Sequence, residues 1–154
     1  ATEGTRMSYV KPHGALYNRA AKDRTLANAI AAATRKVDPS LTVLGLQASA
    51  MAAAASAHGL PFASEAFVDR AYASDSTLVP RTENGAIIDD VDAAVERALV
   101  MVRDHTVRAI TGEGLRIDAQ SLCVHGDNPE AAKLLRAVRA RLESAGFSIA
   151  AFAK

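Results

Sequence analysis

One cysteine in 154 residues, Cys123, cannot form an internal disulfide. Nothing calls for such a staple, because 49% of the residues are hydrophobic, enough for a real core in a single domain over residues 1–154. Charge of one sign is missing too. Eighteen basic residues face seventeen acidic ones for a net charge of +1, which gives no electrostatic case for nucleic acid or an anionic membrane and points to small molecules and protein partners. No apolar run approaches the roughly 20 residues needed to cross a bilayer. No signal peptide is visible, and the lone thiol fits a reduced, cytoplasmic setting. Internal repeats, low-complexity tracts, interdomain linkers and zinc-type ligand spacings are absent. An initiator methionine is absent as well, and residues 1–4 read as the last turn of a helix without its body, so the chain is expected to be a fragment.

What is present alternates between strand and helix. A strand at residues 7–11 runs into Pro12, which cannot donate to a sheet, and a loop continues through Asn18. Asp23 caps a long alanine-rich helix that stops before Pro39. Residues 41–46 form a short apolar run typical of a strand buried on both faces, Ser49 caps a second helix, Gly59 ends it, and 62–67 is a third strand. This order implies parallel βα units, since a parallel neighbour needs a crossover helix. Residues 71–85 read as a long loop with an extended piece at Leu78-Val79. Val91, Ala94, Val95, Ala98 and Val102 recur at helical spacing over 91–105, and 107–110 with 115–117 flank a hairpin turn at Thr111-Gly112-Glu113-Gly114. After a strand at 121–124, a final helix opens at Pro129 with Asp127 or Asn128 as its cap and Glu130 placed for a capping box. Its expected buried stripe is Leu134, Leu135, Val138 and Leu142, and 147–152 reads as a last strand.

Three polar clusters fall at strand ends: Lys11/His13, Glu65/Asp69/Arg70 and His125/Asp127. Parallel strands would put all three at the end of the sheet where α/β folds bind ligands. Histidine and carboxylate supply proton transfer, and guanidinium supplies an anion clamp. Gly14 and Gly126, directly after the histidines, let backbone amides approach a ligand. Plainer roles compete with these. His13 can close a turn, Asp127 can cap a helix, Asp69 and Arg70 can be a structural ion pair, and Glu65 can be solvated. Arg81 follows Leu78-Val79-Pro80 on a loop and suits a carboxylate or phosphate. Cys123 reads as a buried, inert thiol, His58 and His105 as helix C-terminal residues held by the dipole, and Lys133, Arg136 and Arg139 as a solvated face.

Four blocks in order, Val10-Lys11-Pro12-His13-Gly14-Ala15-Leu16-Tyr17-Asn18, Glu65-Ala66-Phe67-Val68-Asp69-Arg70-Ala71-Tyr72, Leu78-Val79-Pro80-Arg81 and Cys123-Val124-His125-Gly126-Asp127, resemble the signature blocks of the LamB/YcsF family of 5-oxoprolinase A subunits. The resemblance runs from Thr5 into the final helix, with Val68 where alanine is usual. It implies an α/β fold, a parallel-strand distorted β/α barrel similar to the glycoside hydrolase/deacetylase superfamily, truncated at its amino-terminal end. It also implies a subunit of ATP-dependent 5-oxoprolinase, opening the lactam of 5-oxo-L-proline to L-glutamate with subunits B and C, with ATP and Mg bound here or on a partner. By the same resemblance His13 or His125 handles protons, Asp69 and Asp127 orient the base or activate water, and Lys11 and Arg70 clamp a carboxylate or phosphate. Gly14, Asn18, Glu65, Arg81 and Gly126 complete the expected substrate-binding set. The alternatives are a stand-alone metal-dependent hydrolase of the deacetylase type, its metal unknown, and a non-catalytic fragment that binds partners. Open sheet edges left by the missing front also predict self-association.

Overall fold

The computed structural model describes Gly4, residues 6–127 and residues 130–153. The expectations for residues 1–3 and for Asn128 and Pro129 lie outside the described residues. Two compact units emerge, one of Ala1–Ser64 with Ala151–Lys154 and one of Glu65–Ala150.

The first unit carries β1 (Tyr9–Val10), α1 (Gly14–Lys22), α2 (Arg24–Val37), β2 (Thr42–Leu46) and α3 (Ala50–Ala57). β1 and β2 pair in parallel with Tyr9 opposite Thr42, as the alternation requires. Capping follows the sequence: the Asp23 carboxylate accepts from the Leu26 N–H, and the Ser49 hydroxyl accepts from the Ala52 N–H. Gly59 adopts φ +63°, a left-handed turn in which the Leu60 N–H bonds back to the Ala55 carbonyl and closes α3. The loop expected through Asn18 is instead α1. Gly14 and Asn18 suggest a loop, but Tyr17, Ala20 and Ala21 fall on one helical face and are buried, so packing outweighs the local signals. Ala20, Ala27, Ala31, Ala54 and Ala55 let these helices approach closely around Val43, Met51 and Leu60.

β3 (Phe62–Phe67) matches its expected bounds and begins in the first unit. The hydrogen-bonded order of the four-stranded sheet is β1-β2-β3-β6, with β6 at Ser121–Cys123. The second unit continues with α4 (Val91–Arg103), the antiparallel pair β4 (Thr106–Arg108) and β5 (Gly114–Arg116), then β6 (Ser121–Cys123) and α5 (Ala131–Ser144). β3 and β6 are parallel, with Glu65 opposite Ser121 and Phe67 opposite Cys123. α4 and α5 bury Val68, Ala94, Val95, Ala98, Leu99, Leu134, Val138 and Leu142 together.

Three expectations change here. Leu135 is 59% exposed, because the buried positions Leu134, Val138 and Leu142 recur every four residues and Leu135 lies one step around the helix. Residues 147–152 form no strand: the Phe147 N–H bonds to the Leu142 carbonyl and closes the helix end, while Phe147 packs on the α4–α5 core. Asp127 does not cap α5, whose N-cap is Glu130 without a side-chain cap bond. Among the described residues no helix is long and apolar enough to cross a membrane. Leu134→Ala should cost about 2–5 kcal/mol by leaving a cavity. Leu135→Ala should cost less than about 0.5 kcal/mol, and urea unfolding of the two variants measures the contrast.

Candidate active site

The parallel register sets the ends of β3 and β6 side by side, and the Val68 N–H extends the ladder to the Cys123 carbonyl. Just beyond, Asp69 and His125 meet, 56 residues apart in sequence. The His125 backbone N–H donates to Asp69 Oδ2 at 2.8 Å, and its Nδ1 lies 2.9 Å from Oδ1 and 3.1 Å from Oδ2. An ionised carboxylate has only lone pairs to offer, so Nδ1 carries the proton and Nε2 is the basic atom. The Phe67 ring stacks on the imidazole, centroids 5.4 Å apart and planes 23° apart. Asp69 is 2% exposed. Burial pushes its carboxyl up, but the bonds and charge of His125 outweigh this and hold it below the usual carboxylate range.

Arg70 is buried beside this pair and its bonds go elsewhere: Nε donates to the Ala86 carbonyl and Nη2 to the Val79 carbonyl, so it ties down both arms of the loop between β3 and α4. Burial lowers its pKa, the charge of Arg81 adds to that, and Asp69 and Asp127 work against it. Arg97 supports the same loop from α4, donating to the Arg70 carbonyl and lying 5.5 Å over the Tyr72 ring. The Tyr72 hydroxyl accepts from the Phe67 N–H, and burial pushes its pKa up to about 12. Arg81, from the exposed part of the loop, reaches Asp127 with Nη1 2.6 Å from Oδ2. That bond, ahead of the weaker opposing effect of burial, holds the Asp127 carboxyl below its usual range.

Of the residues expected at the site, Asp69 pairs with His125 and Arg81 with Asp127. Asp69 and Arg70 are not an ion pair with each other. Glu65 is buried on β3 rather than solvated, and Cys123 is half-buried rather than fully enclosed. Gly126 is exposed, with open space where a side chain would stand. Lys11, His13, Gly14 and Asn18 belong to the first unit. There His13 is the exposed N-cap of α1, Lys11 lies 5.7 Å over the Tyr17 ring, Gly14 takes φ +57°, and Asn18 Nδ2 donates to the Gly14 carbonyl. Phe67 and Tyr72 escaped the sequence reading as site residues. The two-residue spacing of Phe67 and Asp69 was the available signal, since extended residues two apart face the same way.

Among the described residues no group of three His, Cys, Asp or Glu side chains gathers as a metal site. The lowered Asp69 pKa has a definite consequence for stability. Its contribution is complete above the ordinary carboxylate range and is lost as pH falls through the lowered native value. Asp69→Asn should therefore be clearly less stable than wild type at pH 5–6, with the gap narrowing below about pH 4, as read from urea midpoints across pH.

The LamB/YcsF family profile matches residues 1–154. The chain is 51% identical to the A subunit of 5-oxoprolinase from Streptomyces avermitilis over 150 residues, covering 97% of this chain and 60% of that protein. It is 51% identical to the corresponding 5-oxoprolinase A subunit of Heliobacterium modesticaldum over 148 residues, covering 96% and 58%. The crystal structure of the lactam utilization protein from Thermus thermophilus superposes with a TM-score of 0.90 at 41% identity, covering 97% of this chain and 60% of that one. The chain thus spans about three-fifths of the length of these relatives. The expected fold class, parallel α/β consistent with a distorted β/α barrel, stands. A profile that matches from end to end, together with half of all aligned residues shared, leads to one conclusion: the chain belongs to the LamB/YcsF family.

Proposed function

We propose that this chain works as part of the A subunit of a cytoplasmic 5-oxoprolinase, which with subunits B and C uses ATP and Mg to open the lactam of 5-oxo-L-proline to L-glutamate. The observation that carries the reading is the Asp69–His125 pair, a base oriented by a buried carboxylate, in a chain half identical to two proteins named for that subunit. An unstrained amide resists hydrolysis, and phosphorylation of its oxygen by ATP makes the ring carbon electrophilic. His125 Nε2 then takes a proton from water as it adds to that carbon, and supplies one to the ring nitrogen as the C–N bond breaks; the acyl phosphate so formed is cleaved by a second water to L-glutamate and inorganic phosphate. Asp69 keeps the proton on Nδ1 and stabilises the imidazolium between the two steps.

The test is reconstitution of the protein with subunits B and C, followed by measurement of ADP release that depends on 5-oxo-L-proline. Wild type should show such release. His125→Ala should lower it by roughly a hundredfold or more, with Asp69→Asn also impaired. A wild-type complex whose ATP hydrolysis ignores 5-oxo-L-proline sinks the function, and near-normal turnover by His125→Ala sinks the role of that base.

A further inference from the structure

Arg81 and Asp127 form an ion pair across 46 residues of sequence, Nη1 lying 2.6 Å from Oδ2, and the charge of His125 acts on the same Asp127 carboxylate. Arg70, the other guanidinium nearby, donates to the Val79 and Ala86 carbonyls and is buried, whereas Arg81 is 43% exposed. The contact is made through Nη1 alone, although a guanidinium can hold a carboxylate by two parallel bonds. Asp127 is 63% exposed, and exposed ion pairs are worth little, so a second carboxylate can displace it readily. The surrounding charge favours that exchange. The charges of Arg70 and Arg81 oppose one another while Asp69 and Asp127 offset them, so withdrawal of Asp127 leaves these two cations with less compensating charge. Asp127 also lies two residues beyond His125, which ties the anion site to the base.

We propose that Asp127 is an internal stand-in for the substrate's carboxylate: it holds Arg81 until the carboxylate of the lactam acid takes its place. This rests on the function proposed above, and supplies the rule by which that site selects a carboxylated lactam over a neutral one. Displacement also frees the Asp127 carboxylate next to His125, so occupancy of Arg81 changes the charge at the base as the substrate arrives.

Equilibrium binding of 5-oxo-L-proline and of its neutral analogue 5-oxo-L-prolinamide, measured by titration calorimetry without ATP, separates the two ideas. Arg81→Ala should weaken 5-oxo-L-proline by roughly tenfold or more and leave the amide unchanged. Arg81→Lys, which keeps the charge and loses the fork, should fall between. Asp127→Asn should tighten 5-oxo-L-proline by roughly two- to fivefold, again without effect on the amide. Equal weakening of both ligands in Arg81→Ala and Asp127→Asn would mark the pair as a structural tie and overturn the proposal. Wild-type binding of 5-oxo-L-proline that Arg81→Ala leaves intact would overturn it alone. A wild-type protein that binds neither ligand would overturn it together with the function on which it rests.

Discussion

A carboxylate buried to 2% exposure is the constraint around which the second unit is arranged. Removing an ionised Asp69 from water is costly unless its lone pairs are filled, and His125 fills them with a backbone amide and a ring N–H. That solution works only if the chain after β3 and the chain after β6 are immediate neighbours. The parallel register from Glu65–Ser121 to Phe67–Cys123 supplies the adjacency, and the Val68 N–H carries it one residue further. Strand pairing and the chemistry of the site are therefore one requirement met twice. A slip of β6 by one residue would turn His125 to the other face and leave a buried charge unpaired.

Support for the pair runs through a chain of contacts. Phe67 faces the imidazole, its own N–H rests on the Tyr72 hydroxyl, and Arg97 lies over the Tyr72 ring while holding the Arg70 carbonyl. Each link uses a group that would otherwise be costly to bury: an amide at a strand end, a phenol, a guanidinium. The Arg97 Nε is the exception, buried with no hydrogen-bond partner among the described residues. Its guanidinium is retained through its terminal nitrogens and the tyrosine face.

Much of the scaffold was legible because short-range chemistry decides it. Asp23 and Ser49 cap the helices they were expected to cap, Gly59 ends the helix before it, and Pro61 with the following apolar run sets the bounds of β3. α1 was illegible because its stripe is only Tyr17, Ala20 and Ala21, too little signal against the loop-forming character of Gly14 and Asn18. The final segment, 147–152, reads as a strand, yet among the described residues no ladder partner stands beside it and Phe147 is taken by the helix end. Within the site, residue types were readable and partnerships were not. Asp69 looked as well placed for Arg70, its neighbour in sequence, as for a histidine 56 positions away, and only the β3–β6 register decides between them. Likewise Asp127 had the position of a helix cap until Arg81 claimed it.

The Arg70 clamp also bears on how such a site can diversify. By fixing the loop at Val79 and Ala86, it isolates the residues between them from the core, so that the loop's tip is held at its base and free in its sequence. Glu83, Asn84 and Arg81 are exposed there, while Val79 and Ala86 pack inside with Ala71. Changes in that tip can alter the groups presented beside Arg81 without disturbing the buried carboxylate or its histidine, so the fold of the unit and the chemistry of its loop surface are open to separate change.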